Sequence, residues 1–197
     1  MKKNILLILT ALTSLFFTKV NYGQAPNLGA SASFGVFTSV GLISNTGSTT
    51  ITGDFGNYVG GSTGTPPTVI GQTHQTDPVA QQAALDVCAA YTDAQTAPCD
   101  NTVALLGEGQ IITPGVTCVV AASTVTGDLV MDAQGDPNAV FIIRVNGVLN
   151  TGASSQIVLT NGANLCNVFF TVLGAVNLGA NSVFNGTILE SGGAATV

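Results

Sequence analysis

Few side chains in this sequence could carry chemistry, and their spacing argues against it. His74 is the only histidine, in the Gly/Pro/Thr-rich stretch GSTGTPPTVIGQTHQ (61–75). A hydrolase built on it would need a Ser or Cys nucleophile activated by a partnered imidazole, and no such constellation accompanies it. Asp128, Asp132 and Asp136 recur every fourth residue. Carboxylates so grouped can serve as a glycosidase acid/base pair or as oxygen ligands for calcium. Here they surround DAQGDPN (132–138), in which Asp136 and Asn138 can bond local backbone and Pro137 fixes a bend. A turn accounts for them better than a reaction does. The four cysteines, Cys88, Cys99, Cys118 and Cys166, contain no C-x-x-C pair, and with a single histidine they make a poor zinc set. No catalytic residue, metal or cofactor is expected, and the protein is not expected to be an enzyme.

The charge balance narrows the partners. Only 7% of residues are charged, against about 25% in ordinary globular chains, so Thr, Ser, Asn and Gly must supply the polarity of the surface. Lys2 and Lys3 followed by the apolar run Ile5–Phe17 and small residues up to Gly23 read as a secretory signal peptide over residues 1–23, too short for a confident membrane span. Beyond it Arg144 stands alone against 10 acidic residues. Such a chain cannot neutralise phosphates, so neither nucleic acid nor an anionic membrane is an expected partner. Export also makes disulfides plausible among the four cysteines, with three pairings open. The expected location is secreted or at the cell surface.

Residues 24–197 read as one domain. Residues 28–60 alternate β-branched and aromatic residues with Ser, Thr and Gly, as short strands do; 61–75 reads as a loop. Asp77 as N-cap, Pro78 at the first helical position and Val79, Ala83, Val87, Ala90 and Ala94 on one side predict a single long helix over about 77–96. Three similar segments follow, at 115–133, 140–161 and 168–189. Each runs from an apolar strand through Gly, Asn or Thr to another apolar strand. Their starts, Val116, Val140 and Val168, recur at about 24–28 residues, the length of one three-sided solenoid coil; a β-sandwich, which also makes short strands with frequent turns, is the alternative that this pattern disfavours. In such a fold Ile142 is expected to stack on Phe170 in the core. Period 2 puts Val140, Ile142 and Arg144 on one side of a strand, with the Arg144 stem over apolar surface and its head near a carboxylate.

The segments DAQGDPNAVFIIRV (132–145), CNVFFTV (166–172), FNGTIL (184–189), ITPGVTC (112–118) and FGVFTSVGLISNTGSTTITGDFG (34–56) together resemble the microbial β-solenoid ice-binding (antifreeze) protein family. The resemblance extends over residues 28–189. It implies an all-β fold with one long helix: a right-handed, roughly triangular β-solenoid with the α-helix packed alongside. It also implies a cold-adapted protein whose partner is the ice surface, bound through one flat face of parallel strands so that ice growth or recrystallisation is inhibited. The alternative on the same solenoid is a cell-surface adhesion or matrix module that binds a glycan or protein.

Some members of that family carry T-A/G-x-T/N on the ice-binding face. Thr46-Gly47-Ser48-Thr49 matches it fully; Thr151-Gly152-Ala153-Ser154 and Leu178-Gly179-Ala180-Asn181 match three positions, and Thr126-Gly127-Asp128-Leu129 the first two. The expected ice-binding residues are therefore Thr46, Ser48, Thr49, Thr151 and Asn181, followed by Thr124 and Thr126. The final ESGGAATV (190–197) stops where the family continues with another strand, which suggests truncation and predicts a solenoid end with unpaired backbone.

Overall fold

The computed structural model describes residues 24–45, 49–190 and 195–196. The segment read as a signal peptide, and Thr46 and Ser48, lie outside them. After a 3-10 turn at Gly29–Ser33 come β1 (Phe34–Asn45), β2 (Thr50–Thr52), β3 (Asp54–Gly64), β4 (Thr68–Ile70) and β5 (Thr73–Gln75), then the helix α1 (Pro78–Thr96). The stretch 61–75, expected as a loop, is thus largely strand: β3 runs on to Gly64 and its backbone pairs with β1 in register. Ladder pairing overrides the local turn preference of Gly and Thr.

Past the helix, β6 (Asn101–Val103) and β7 (Gln110–Ile112) lead into the coils. One is β8 (Gly115–Val119), β9 (Ser123–Val125) and β10 (Asp128–Asp132); the next is β11 (Phe141–Val145), β12 (Leu149–Thr151) and β13 (Gln156–Thr160). Then come β14 (Val168–Val172), β15 (Val176–Asn177), β16 (Thr187–Glu190) and β17 (Ala195–Thr196). Every strand pairing among the described residues is parallel. Three main sheets result: a helix-covered sheet ordered β16-β14-β11-β8-β6, a long sheet ordered β5-β3-β1-β17-β15-β12-β9, and a short sheet ordered β13-β10-β7. β2 and β4 pair separately. The expected β-solenoid with one helix is the architecture observed.

Inside the coils, side chains stack on their counterparts above and below. Phe141, Ile143, Val145, Leu129, Met131, Leu149, Ile157, Phe170 and Val172 form the main cluster, nearly all fully buried. Each contributes about 1.5–3 kcal/mol by leaving water. The stack expected for Ile142 is shifted by one residue: Ile142 pairs with Phe169, and Ile143 with Phe170. Successive strand residues face opposite sides, so Ile143 and Phe170 fill the solenoid. Ile142, Phe169 and Val116 instead face outward and are sealed by Ala94 and Ala97.

The helix forms where the sequence places it. The Asp77 carboxylate accepts from the Ala80 N–H at 2.8 Å, a cap worth about 1 kcal/mol. Its buried stripe is Ala80, Ala83, Ala90 and Ala94, while Val79 stays 40% exposed, so the stripe starts one residue later than its periodicity suggests. A disulfide joins Cys99 to Cys118, tying the chain just past the helix to β8. With a separation of 19 residues, closing this loop stabilises by about 3 kcal/mol. Cys88 and Cys166 are free and exposed. Arg144 lies on the helix side of β11, and its Nη1 donates to the Ala97 carbonyl. The partner is therefore the carbonyl at the helix C-terminus, where the macrodipole is negative, and not the carboxylate expected.

Candidate functional site

The three faces differ in what they offer to solvent. The helix-covered sheet is occupied by α1 and its apolar contacts. The short sheet carries exposed Asp128 and half-buried Asp132, in register with Gln156 and Thr160. Asp132 is held below the ordinary carboxylate range, first by the Asn161 side-chain amide and then by the Gln134 N–H, so this face stays charged. The long sheet is different. Its segments 120–126, 146–152, 173–179, 40–45 and 59–64 contain no ionisable side chain.

A column of small polar residues crosses the long sheet in register. Thr124 pairs with Asn150, and Asn150 with Asn177. The backbone of Thr196 comes next, followed by Ser44 and Thr63. Thr124, Asn177, Ser44 and Thr63 are exposed, and Asn150 is half-buried. Six strands at about 4.8 Å spacing give a row roughly 24 Å long. The amides brace one another: Asn177 Nδ2 donates to Asn150 Oδ1 at 2.9 Å, and Asn150 Nδ2 to Thr124 Oγ1 at 3.4 Å. Beside the row on β1 lie apolar side chains in water, with Val40 73% and Leu42 61% exposed, and exposed Val59 pairs with Val40 on β3. Exposed apolar side chains grouped on neighbouring strands in this way mark a candidate binding face.

The residues singled out by the four-residue motif divide. Thr124 stands in the column and Thr126 is exposed just beyond β9. Thr151 is only 7% exposed. Its hydroxyl donates to Ser182 Oγ at 3.0 Å and accepts from the Gly179 N–H at 2.8 Å. Its burial follows from strand alternation, since Leu149 and Thr151 both point inward and Asn150 points out. Thr49 is half-buried, and its hydroxyl donates to Asn45 Oδ1 at 2.7 Å. Asn181 is exposed, but in a left-handed turn (φ 56) stacked against the turn at Ser154 (φ 58). Thr46 and Ser48 lie outside the described residues. The Thr-Gly step of the motif is a corner device. A Cβ on Gly179 would come within 2.4 Å of the Thr151 carbonyl oxygen, so only glycine lets the coils stack there.

Sequence reasoning missed Asn150, Asn177, Ser44, Thr63, Val40 and Leu42. The alternation of Leu149 and Thr151 around Asn150 was the available signal for the first of these. The last four join the row only because β1 and β3 pair into the same sheet as the later coils.

The ice-binding-like family profile matches residues 37–196. The chain belongs to that family. An ice-binding protein of Nostoc sp. is 38% identical over 144 residues, 72% of this chain and 53% of its own length. One from the fungus Flammulina populicola is 31% identical over 150 residues, 71% of this chain and 58% of its own. The chain thus spans about half the length of these curated relatives. Among solved structures, an ice-binding protein of an Antarctic Flavobacteriaceae bacterium superposes with a TM-score of 0.82 at 35% identity, covering 88% of this chain and 46% of that one. That of the Antarctic ascomycete Antarctomyces psychrotrophicus does so with 0.79 at 30%, covering 87% and 95%.

Proposed function

We propose that this protein adsorbs to ice through the outer surface of its long sheet and so limits ice growth or recrystallisation. The observation that carries the proposal is the charge-free, in-register row Thr124–Asn150–Asn177–Ser44–Thr63 flanked by exposed Val40 and Leu42. Methyl groups and aliphatic side chains favour cage-like water, while regularly spaced hydroxyls and amides anchor it. Strand spacing is close to the oxygen repeat of hexagonal ice. The side chains stand on hydrogen-bonded strands, so little conformational entropy is lost on adsorption. An ionic group would hold its own hydration shell against the lattice, and the strand segments that carry the row have none.

The protein acts by adsorption and catalyses no reaction. The basic start and apolar run of residues 1–23 support export, where a protein meets external ice. Ice recrystallisation inhibition by the purified protein tests the proposal. The wild type is expected to inhibit at micromolar concentration, and a folded Leu42→Asp, Asn150→Asp variant to lose the effect. A folded, disulfide-intact wild type that leaves recrystallisation unchanged would overturn it.

A further inference from the structure

The long sheet is not wound in chain order. From one edge, β9, β12 and β15 climb through successive coils, and on the other side lie β1, β3 and the edge strand β5 from the early part of the chain. Between them sits one strand of two residues, β17. Val176 pairs with Ala195 and Asn177 with Thr196 on one side; Ser44 pairs with Thr196 on the other. The helix-covered sheet and the short sheet contain no strand from residues 34–75, and β2 and β4 pair only with each other. Among the described strands, β17 is therefore the only one that pairs with both the early strands and the coils.

The main hydrophobic cluster gives a second, independent indication. Its buried members run from Leu106 to Val176, and none belongs to β1 or β3. The early strands are held to the molecule by α1, which packs on β1 and β3 as well as on β11, β14 and β16. The helix brings the early strands near the coils. It does not fix the strand register of one against the other; a backbone ladder does that.

We infer that Thr196, through β17, is the positioning residue that aligns two half-arrays into one ice-binding row: Thr124, Asn150 and Asn177 on the coils, and Ser44, Thr63, Leu42 and Val40 on the early strands. This rests on the adsorption proposed above. A lattice surface is read by all rows at once, so two half-arrays in register bind as a linked pair, whereas two out of register bind as separate weak sites. Linking sites in this way multiplies affinity on the order of a hundredfold or more.

The test is an Ala195→Pro, Thr196→Pro variant, which removes the N–H donors of β17, combined with Thr63→Asp on the early half, one strand removed from β17. Because β17 is a two-residue strand and α1 packs on both the early strands and the coils without it, the proline variant is expected to keep its main melting transition and its disulfide. Its adsorption to ice is expected to fall tenfold or more. Thr63→Asp is expected to weaken adsorption several-fold in the wild type and to change nothing further in the proline background. A strand that merely stabilised the protein would instead give losses that multiply independently. Thr196→Gly keeps the N–H while loosening the strand. It is expected to lose adsorption to an intermediate degree, and it carries the same cycle if the proline variant does not fold. A folded proline variant that adsorbs like the wild type, or independent losses in the cycle, would overturn the role of β17 and leave the ice face standing. A wild type that does not adsorb at all would overturn the ice face itself.

Discussion

Replacing Thr151 by valine separates a fold-making threonine from an ice-facing one. Valine keeps the shape and removes the hydroxyl, which donates to Ser182 Oγ at 3.0 Å and accepts the Gly179 N–H at 2.8 Å. Ser182 is only half-buried and can turn its hydroxyl to water, so its loss costs little. The Gly179 N–H sits in a corner where the backbones of two coils touch, and it is left without its acceptor. An unsatisfied donor of this kind costs roughly 1–3 kcal/mol. At about 2 kcal/mol, a chain of this size loses roughly 4–8 °C in Tm. Adsorption to ice near 0 °C, well below the melt, is expected to be unchanged. Asn150→Asp, one residue away, is expected to do the reverse, with little change in Tm and a large loss of adsorption. Thermal melts by circular dichroism and a fluorescence assay of ice-bound protein read both. A Thr151→Val variant with unaltered Tm and diminished adsorption would refute the inward placement of this side chain and with it the choice of Asn150 as the outward residue.

Two further outcomes follow from the same contacts. Arg144→Met removes the donor that holds the Ala97 carbonyl at the end of α1 while keeping an apolar stem over the sheet; Tm is expected to drop by a few degrees, corresponding to about 1–2 kcal/mol, with adsorption intact below the melt. Three carboxylates are held below their ordinary value of 3.8: Asp54 by the Gln72 N–H and the Ser33 hydroxyl, Asp77 by the Ala80 N–H and His74, and Asp132 by the Asn161 amide and the Gln134 N–H. A lowered folded pKa stabilises the folded state above the unfolded value, and that stability is lost as pH falls through the folded value. Tm measured against pH is therefore expected to be level from neutral pH to about 5 and to decline below about 4; a decline beginning near neutrality would contradict these contacts.

Much of the fold was legible because it depends on local rules. Asp77-Pro78 starts a helix wherever it is placed, since the cap bond and the missing N–H are properties of the first turn. The recurring apolar–Gly–apolar segments at 115–133, 140–161 and 168–189 favour three-sided coils over a sandwich, because similar segments can bury their apolar faces against copies above and below. The turn DAQGDPN was readable for the same reason: the Asp136 carboxylate accepts from the Asn138 N–H at 2.9 Å, two residues on.

What only the tertiary structure decided depends on register and on pairing between distant segments. A one-residue shift sends Ile142 beneath the helix and Ile143 into the solenoid. The same alternation buries Thr151 and turns Asn150 outward. Motif spacing cannot separate neighbours that differ only in which side of a strand they face. β17 is paired on both sides, because the earliest strands fold back beside the latest, while β16 and β13 remain sheet edges. The Arg144 head finds a helix carbonyl supplied 47 residues away. The row of residues on the long sheet exists only once strands from the two ends of the chain are laid side by side, and that adjacency is written in no single stretch of sequence.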